Sequence, residues 1–477
     1  MAKIIFLVLF AVQLIIGICT VHVVQHWDEA KLVDSVIEQY SHGRFLPIWY
    51  NYPSVIFYIT YIDYFFWQIC FKNIIGDFNI FNRMVFYCLS TLPALFIFNT
   101  FRRKGLEWIG LITAIIFMGS WEFHYHSRWV APDTILALFA TASICYLLKG
   151  NLKSYIFASV MAGIAFSTKY TAGIFILPVI LLMLMDSKTR SFKNIAFAMF
   201  LFIVTFFVCN PGIILEWAKA SQDILFEQQH YAKGHNNYTV DSFALHLKRN
   251  ILYLLAILPS KNIVLGICIS LFIPLGLFAL IREKRFVWIY TGIIACCFLL
   301  YLSSQKVMFV RNLIVWWPII CILAGYSMCY LYIKIAKFNK IIVTAFLIMG
   351  LLSLSFVIRT DIKLLQSNEY TPVENFVKYK NSNPHKKIWT SPVVRSWLSK
   401  IKQDYIEIDG PKENAEYFVL YLWEAQQWKL PANEYGWLIR TFGSEDINIS
   451  YYPTYPGNQK IIMVKNPNIL LDAGIQL

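Results

Sequence analysis

The chain has 477 residues, of which 58% are hydrophobic and only 15% are charged. A soluble domain carries about 25% charged residues, so this composition excludes a soluble protein and indicates one that crosses a membrane several times. The formal net charge is +14. The Lys and Arg residues lie in short clusters between apolar runs, as cytoplasmic membrane loops do, which argues against a nucleic-acid partner.

The basic clusters predict the topology, because loops rich in Lys and Arg stay in the cytoplasm. Placing every cluster inside gives eleven spans of about 20 residues each, with the N-terminus inside and the C-terminus outside. The first apolar run, Ile4 to Val24, is predicted to be a retained signal-anchor helix. The predicted spans lie at about 4–24, 83–101, 106–123, 132–148, 153–168, 171–186, 192–209, 262–281, 286–303, 309–333 and 341–358.

Two regions fall outside this set of spans. Tyr52 to Phe71 is apolar enough to cross, but a crossing would invert every later loop, so a helix at the outer interface is predicted. From Thr360 the composition becomes that of a soluble domain, with short strand-like runs such as Tyr417 to Leu422. We therefore predict a mainly α membrane domain over 1–359 and a small α/β domain outside the membrane over 360–477.

Asp28 and Glu29 are the first candidate site residues. They follow the first apolar run beside Trp27, where a carboxylate could act as a general base in a partly dry cleft. The N-terminal dipole of a following helix also stabilises acids in this position. Composition alone therefore leaves both a catalytic and a structural interpretation open.

Asp133 begins an apolar helix on the same predicted outer face, after Arg128 and Pro132. Proline followed by an acid is also ordinary chemistry for a helix start. His124 and His126 stand nearby, but their spacing is unspecific for a metal, and a metal-independent protein without cofactors is expected. The ten Cys lie mostly inside apolar runs, which predicts neither a disulfide framework nor a zinc site.

Three cations break the charge rule in one direction. Lys169, Lys306 and Arg311 lie at predicted outer turns, where a single lysine could simply extend to the membrane surface. Cations that converge on one face favour an anionic ligand such as a lipid phosphate. The predicted outer loop 227–238, which contains His230 and Tyr231, adds polar groups of the kind found in lids.

Four short motifs in this order resemble the GT-C glycosyltransferases, within the branch of the protein O-mannosyltransferases and the lipid A aminoarabinose transferase. The resemblance covers residues 1–335 and rests on these segments: Trp27-Asp28-Glu29, Arg128 to Asp133, Gly163 to Lys169, and Arg311 to Pro318.

The resemblance implies a polyprenyl-phosphate sugar donor and inversion at the anomeric carbon. Carried over by position, Asp28 is the general base with Glu29 beside it, and Asp133 is the second acid. The donor phosphate is expected to bind Lys169 and Lys306, together with Arg311. The expected residues of the substrate loop are His230, Tyr231 and Arg128. The chain departs from the family at Asn51-Tyr52-Pro53, where Arg44 is expected to replace a phosphate contact.

The sequence thus predicts an enzyme that transfers a sugar to a cell-envelope glycan or lipid, such as lipopolysaccharide or O-antigen. The expected location is the bacterial inner membrane, with the site and the C-terminal domain in the periplasm. A protein acceptor is one alternative. A transporter or flippase of lipid-linked sugars is another, but it would need charges or broken helices near mid-membrane, whereas the ionisable residues here gather at one face.

Overall fold

A computed structural model describes residues 1–23, 28–234, 239–282, 286–334, 339–365, 371–390, 416–421, 438–442 and 461–465. The chain divides into two compact units. The first comprises Met1–Val21 and Trp27–Asp361, and the second comprises His22–His26 and Ile362–Leu477. Trp27, which belongs to the first of the four motifs, lies outside the described residues.

The first unit is helical. Its helices are α1 Ala2–Cys19, α2 Glu29–Ser41, α3 Val55–Phe66, α4 Phe78–Thr91, α5 Pro93–Arg102, α6 Glu107–Met118, α7 Trp121–His126, α8 Pro132–Leu147, α9 Leu152–Phe166, α10 Ile176–Met185, α11 Phe192–Cys209, α12 Pro211–Leu215, α13 Trp217–Lys233, α14 Phe243–Leu252, α15 Ile263–Ser270, α16 Phe272–Arg282, α17 Phe286–Ser304, α18 Trp317–Lys334 and α19 Asn339–Leu365. Short 3₁₀ or π helices lie at Val21–Val23, Trp67–Phe71, Tyr170–Phe175, Tyr253–Ile257 and Val310–Trp316.

The predicted helices of the membrane domain are confirmed. Among the described residues, five helices are long and apolar enough to cross a membrane: Ala2–Cys19, Phe78–Arg102, Phe192–Cys209, Val310–Ile333 and Val343–Ile362. Seven shorter apolar helices occupy the six other predicted spans and the segment Val55–Phe71. The chain is therefore a multi-pass membrane protein. The interfacial position of Tyr52 to Phe71 stays a prediction; α3 within it packs against α2 and α4.

Helix α8 lies at the centre of the first unit. Fourteen of its sixteen residues are buried, and it packs against α4, α5, α9, α18 and the 3₁₀ helix Val310–Trp316. Small side chains such as Ala137, Ala140 and Ser143 let these neighbours approach closely, as helices in membranes require. A helix surrounded in this way holds the residue at its N-terminal end, Asp133, in a fixed place.

Breaks in the helices position the other polar residues of this region. Pro132 starts α8 because its ring suits the first helical turn, where no amide donor is needed. Lys169 has an extended backbone, with φ −154° and ψ 129°, between α9 and the 3₁₀ helix Tyr170–Phe175. Arg311 lies in the 3₁₀ helix that precedes α18.

The second unit contains helix α20, Thr371–Ser382, and a sheet of four strands: β1 Ile388–Thr390, β2 Tyr417–Tyr421, β3 Leu438–Phe442 and β4 Ile461–Lys465. The strand order is β1-β2-β4-β3, with β1 parallel to β2 and the other two pairs antiparallel. The predicted α/β composition is confirmed. The predicted strand 405–408 and helix 393–401 lie outside the described residues, and β3 was not predicted.

Candidate active site

The candidate site is built around a buried carboxylate held by two cations. Lys169 Nζ donates to Asp133 Oδ1 at 2.6 Å, and Arg311 Nε lies 3.7 Å from Asp133 Oδ2. The side chains of Lys169, Arg311 and Asp133 are 9%, 6% and 4% exposed. The short interaction with Asp133 shows that Lys169 turns into the protein rather than out to the membrane surface.

Asp28 approaches the same cluster from the start of α2. Its Oδ2 lies 3.8 Å from Arg311 Nη2, and it accepts a hydrogen bond from Tyr52 Oη at 3.5 Å. The Tyr52 hydroxyl in turn accepts from Arg311 Nη2 at 3.3 Å. Asp28 precedes α2 directly, and its carboxylate faces these partners. Arg311 thus connects two carboxylates, one buried and one 35% exposed.

Asn312 extends this cluster towards α13. Its Oδ1 accepts a hydrogen bond from Lys169 Nζ, and its Nδ2 donates to Tyr231 Oη at 3.5 Å. The Tyr231 carbonyl accepts from the backbone amides of Lys306 and Val307 at 3.1 and 3.3 Å. The end of α13 and the segment before Arg311 are therefore joined through Tyr231.

A cavity of about 440 Å³ opens beside the cluster. Its polar wall includes Lys169, Asn312 and Tyr52, and its apolar wall includes Ile174, Ile224, Phe298 and Leu302. The apolar surface predominates. A cavity that combines a cation and hydrogen-bonding side chains with a mainly apolar lining suits an amphiphilic anion with a long hydrocarbon chain.

The structure turns two predicted site residues towards other partners. Glu29, adjacent to Asp28, forms a buried ion pair with Arg83 on α4, because neighbouring residues at a helix start point in different directions. Arg128 is fully buried and pairs with Asp361 on α19 while it also donates to Thr20 Oγ1.

The two histidines near Asp133 also have other partners. His124 Nε2 contacts Asp361, and His126 Nδ1 lies 2.6 Å from the Glu122 carbonyl oxygen. Burial lowers the pKa of His126 to about 4, so this imidazole is neutral at ordinary pH. Among the described residues, no group of three or more His, Cys, Asp or Glu is arranged to hold a metal ion.

The remaining predicted residues lie at the edge of the cluster or outside it. Lys306 is half exposed and its Nζ lies 3.5 Å from Asp241. Residues 227–233 belong to helix α13 rather than to a loop, and within this helix the His230 ring stacks on Phe226. Residues 235–238 lie outside the described residues. Arg44 is exposed just after α2.

Tyr52 and Asn312 are the residues that the sequence did not single out. Tyr52 lies in Asn51-Tyr52-Pro53, where the chain departs from the family pattern, and Asn312 directly follows the candidate cation Arg311. The departure from the family pattern could have identified Tyr52, and the position next to a candidate cation could have identified Asn312.

The comparisons with known proteins agree with this architecture. Residues 63–214 match the family described as dolichyl-phosphate-mannose-protein mannosyltransferase. No curated protein matches the sequence. ArnT from Cupriavidus metallidurans in the apo state is 12% identical, with a TM-score of 0.56 over 97% of this chain and 98% of that one.

A second structure of this ArnT, bound to undecaprenyl phosphate, is also 12% identical, with a TM-score of 0.55 over 96% and 97% of the two chains. At this identity the likeness establishes the fold alone, and the family match is confined to residues 63–214. Both findings agree with the resemblance to the GT-C glycosyltransferases that the four motifs predicted: the chain has the fold of the ArnT structures, and residues 63–214 match the mannosyltransferase family.

Proposed function

We propose that this protein is an inverting glycosyltransferase that moves a sugar from a polyprenyl-phosphate donor to a hydroxyl of a cell-envelope glycan or lipid, such as lipopolysaccharide or O-antigen. We place the reaction at the outer face of the bacterial inner membrane. One observation carries the proposal: Lys169 and Arg311 meet two carboxylates beside a cavity whose walls are mainly apolar.

The cations suit the donor's phosphate. A prenyl phosphate becomes a good leaving group when fixed positive charges stabilise the negative charge that develops on it. Lys169 lines the cavity, and Arg311 lies one hydrogen bond from Tyr52, which also lines it. The apolar wall formed by Ile174, Ile224 and Leu302 would hold the first prenyl units. The ArnT complex with undecaprenyl phosphate, on the same fold, supports this type of donor.

Asp28 is the better general base of the two acids. Asp133 is buried, with Lys169 2.6 Å away and Arg311 3.7 Å away, so its lone pairs face cations. Asp28 is 35% exposed, and its carboxylate lies 3.8 Å from Arg311, which leaves room for an acceptor hydroxyl. A base must come within hydrogen-bonding distance of the proton that it removes, and only Asp28 is open enough for this.

In the proposed step, the acceptor oxygen forms a bond to the anomeric carbon as the bond from that carbon to the phosphate oxygen breaks. The acceptor proton passes to the Asp28 carboxylate. The electron pair of the broken bond leaves with the prenyl phosphate, beside Lys169 and Arg311. Attack from the side opposite the leaving group inverts the anomeric configuration. We propose that this step needs no metal ion, since the side-chain cations supply the charge.

Two classes of acceptor are candidates. The family matched by residues 63–214 is described as acting on protein, which favours protein O-glycosylation as the second candidate. A transport function has less support, because the described ionisable cluster sits at helix ends, whereas a transporter binds its substrate at mid-membrane.

The test is a transfer assay with the purified protein, a panel of polyprenyl-phosphate sugars, and glycan, lipid and peptide acceptors. Asp28→Asn should lose transfer by about 100-fold or more while it still binds donor, as expected when a general base is removed. Asp34→Asn is the matched control, since Asp34 is an exposed acid on α2, the helix that Asp28 precedes.

Full transfer by Asp28→Asn would overturn the base assignment. Absence of transfer from every donor by wild-type protein that binds undecaprenyl phosphate would overturn the enzymatic proposal. Loss of transfer in the presence of EDTA, restored by added metal, would overturn the metal-independent mechanism.

A further inference from the structure

A second cavity lies at the other end of α8. It has a volume of about 340 Å³ and is lined by the last turns of α5 and α8 and the residues that follow them. Helix α8 has sixteen residues, so at 1.5 Å per residue this cavity, which we call the α5–α8 cavity, lies about 24 Å along the helix from its start beside Asp133. It therefore belongs to the face opposite the candidate active site, which the basic loops predict to be cytoplasmic.

The α5–α8 cavity is strongly basic. Of the nine described residues that line it, three are Arg103, Lys104 and Lys149, and none is acidic. Burial and the nearby Arg103 guanidinium lower the pKa of Lys149, which indicates that two positive charges face the same space. An anion between them would relieve this repulsion.

Aromatic rings hold two of the cations at the cavity. Lys149 Nζ lies 3.9 Å from the centre of the Tyr146 ring. Lys104 Nζ lies 4.5 Å from the centre of the Tyr326 ring and donates a hydrogen bond to its hydroxyl. The same space is lined by the apolar side chains Phe96 and Leu148. The lining thus combines phosphate-binding and hydrocarbon-binding groups.

Cations at these positions also complement the negative C-terminal ends of α5 and α8, and the charge rule alone would place them there. Neither effect requires a concave cavity with apolar walls. Basic pockets between membrane helices on the cytoplasmic side are the form in which anionic phospholipid head groups are bound.

We propose that the α5–α8 cavity binds the phosphate head group of an anionic diacyl phospholipid, with Arg103 and Lys149 on the phosphate and the acyl chains along Phe96 and Leu148. This site is separate from the donor site and does not depend on the proposed function. The shared chemistry is a phosphate anion, and the apolar lining favours a lipid over free phosphate as its source.

The experiment is native mass spectrometry of the full chain in detergent, titrated with phosphatidylglycerol or phosphatidylcholine. The test variant is Arg103→Gln with Lys149→Gln, both exposed residues. A cation near an anionic head group contributes about five-fold in affinity, so the double variant should bind phosphatidylglycerol ~25-fold more weakly. The charge-conserving variant Arg103→Lys with Lys149→Arg should keep most of the affinity, which separates charge from folding.

Lys188→Gln with Arg190→Gln is the matched control. It removes two charges from another exposed basic loop that, like the cavity, is predicted to be cytoplasmic. It should change phosphatidylglycerol binding by less than about two-fold, since charges act over roughly a Debye length. An equal loss in both double variants would overturn the proposal, as would equal binding of phosphatidylcholine by the wild type. Complete displacement of the lipid by millimolar inorganic phosphate would overturn the lipid as the occupant.

Discussion

Replacement of Lys169 by Gln gives the sharpest test of the buried cluster. In the wild type, Asp133 has a cation 2.6 Å away on Lys169 and a second one 3.7 Å away on Arg311. The substitution keeps a polar side chain that can still bond to Asn312 but removes the nearer charge. Asp133 then depends on Arg311 alone.

The distances set the magnitude. With an effective dielectric constant of about 20, Coulomb attraction is roughly 6 kcal/mol for Lys169 with Asp133 and about 4.5 kcal/mol for Arg311 with Asp133. Desolvation offsets much of both, and loss of one partner from a buried pair costs about 3–5 kcal/mol. Because Arg311 remains, we expect Lys169→Gln to lower the free energy of unfolding by about 3 kcal/mol.

A double-mutant cycle isolates the pair. In Lys169→Gln with Asp133→Asn the Asp133 carboxylate is removed together with the Lys169 charge. The double variant should therefore lose about 2 kcal/mol less free energy of unfolding than the two single variants lose in sum. The measurement is unfolding by sodium dodecyl sulfate in mixed micelles. The control cycle uses Lys306 and Asp241, whose side chains are 51% and 80% exposed and whose charged atoms are 3.5 Å apart. The coupling energy of this pair should be less than about 1 kcal/mol. The reasoning would be refuted if the free energy of unfolding of Lys169→Gln were within about 0.5 kcal/mol of the wild type, or if the effects of the two single variants were additive.

Three further variants test separate parts of the structure. Tyr52→Phe removes the hydroxyl between Arg311 and Asp28. It should slow transfer about 10-fold, the factor expected for one hydrogen bond, at an unchanged melting temperature. An unchanged transfer rate would contradict this prediction. Arg128→Met leaves the Asp361 carboxylate buried without its ion-pair partner and should cost about 3–5 kcal/mol in stability, which a near-wild-type melting curve would disprove. Phe298→Asp places a charge in the apolar wall and should abolish binding of long prenyl phosphates; retained binding in a titration would remove this wall from the donor site.

The spans and the class of the C-terminal domain were predictable because they depend on local signals. Long apolar runs give membrane helices whatever packs against them, and the period of the hydrophobic residues separates helix from strand. The convergence of Asp28, Lys169 and Arg311 was partly predictable as well, because topology alone puts these positions on one face. Strand β3 was not predicted, because a run of five residues that includes Arg440 and Thr441 lacks a strong apolar pattern.

The sequence by itself determined a membrane protein with its ionisable residues at helix ends, because hydrocarbon excludes unpaired charge and sets the length of each span. Only the tertiary structure decided which charges meet. Glu29 and Asp28 are neighbours in the chain, yet Glu29 pairs with Arg83 and Asp28 faces Arg311. Arg128 and Asp133 are five residues apart, yet one pairs with α19 and the other with Lys169. Partners of this kind lie 36 to 283 residues apart, and their choice depends on packing that no local pattern encodes.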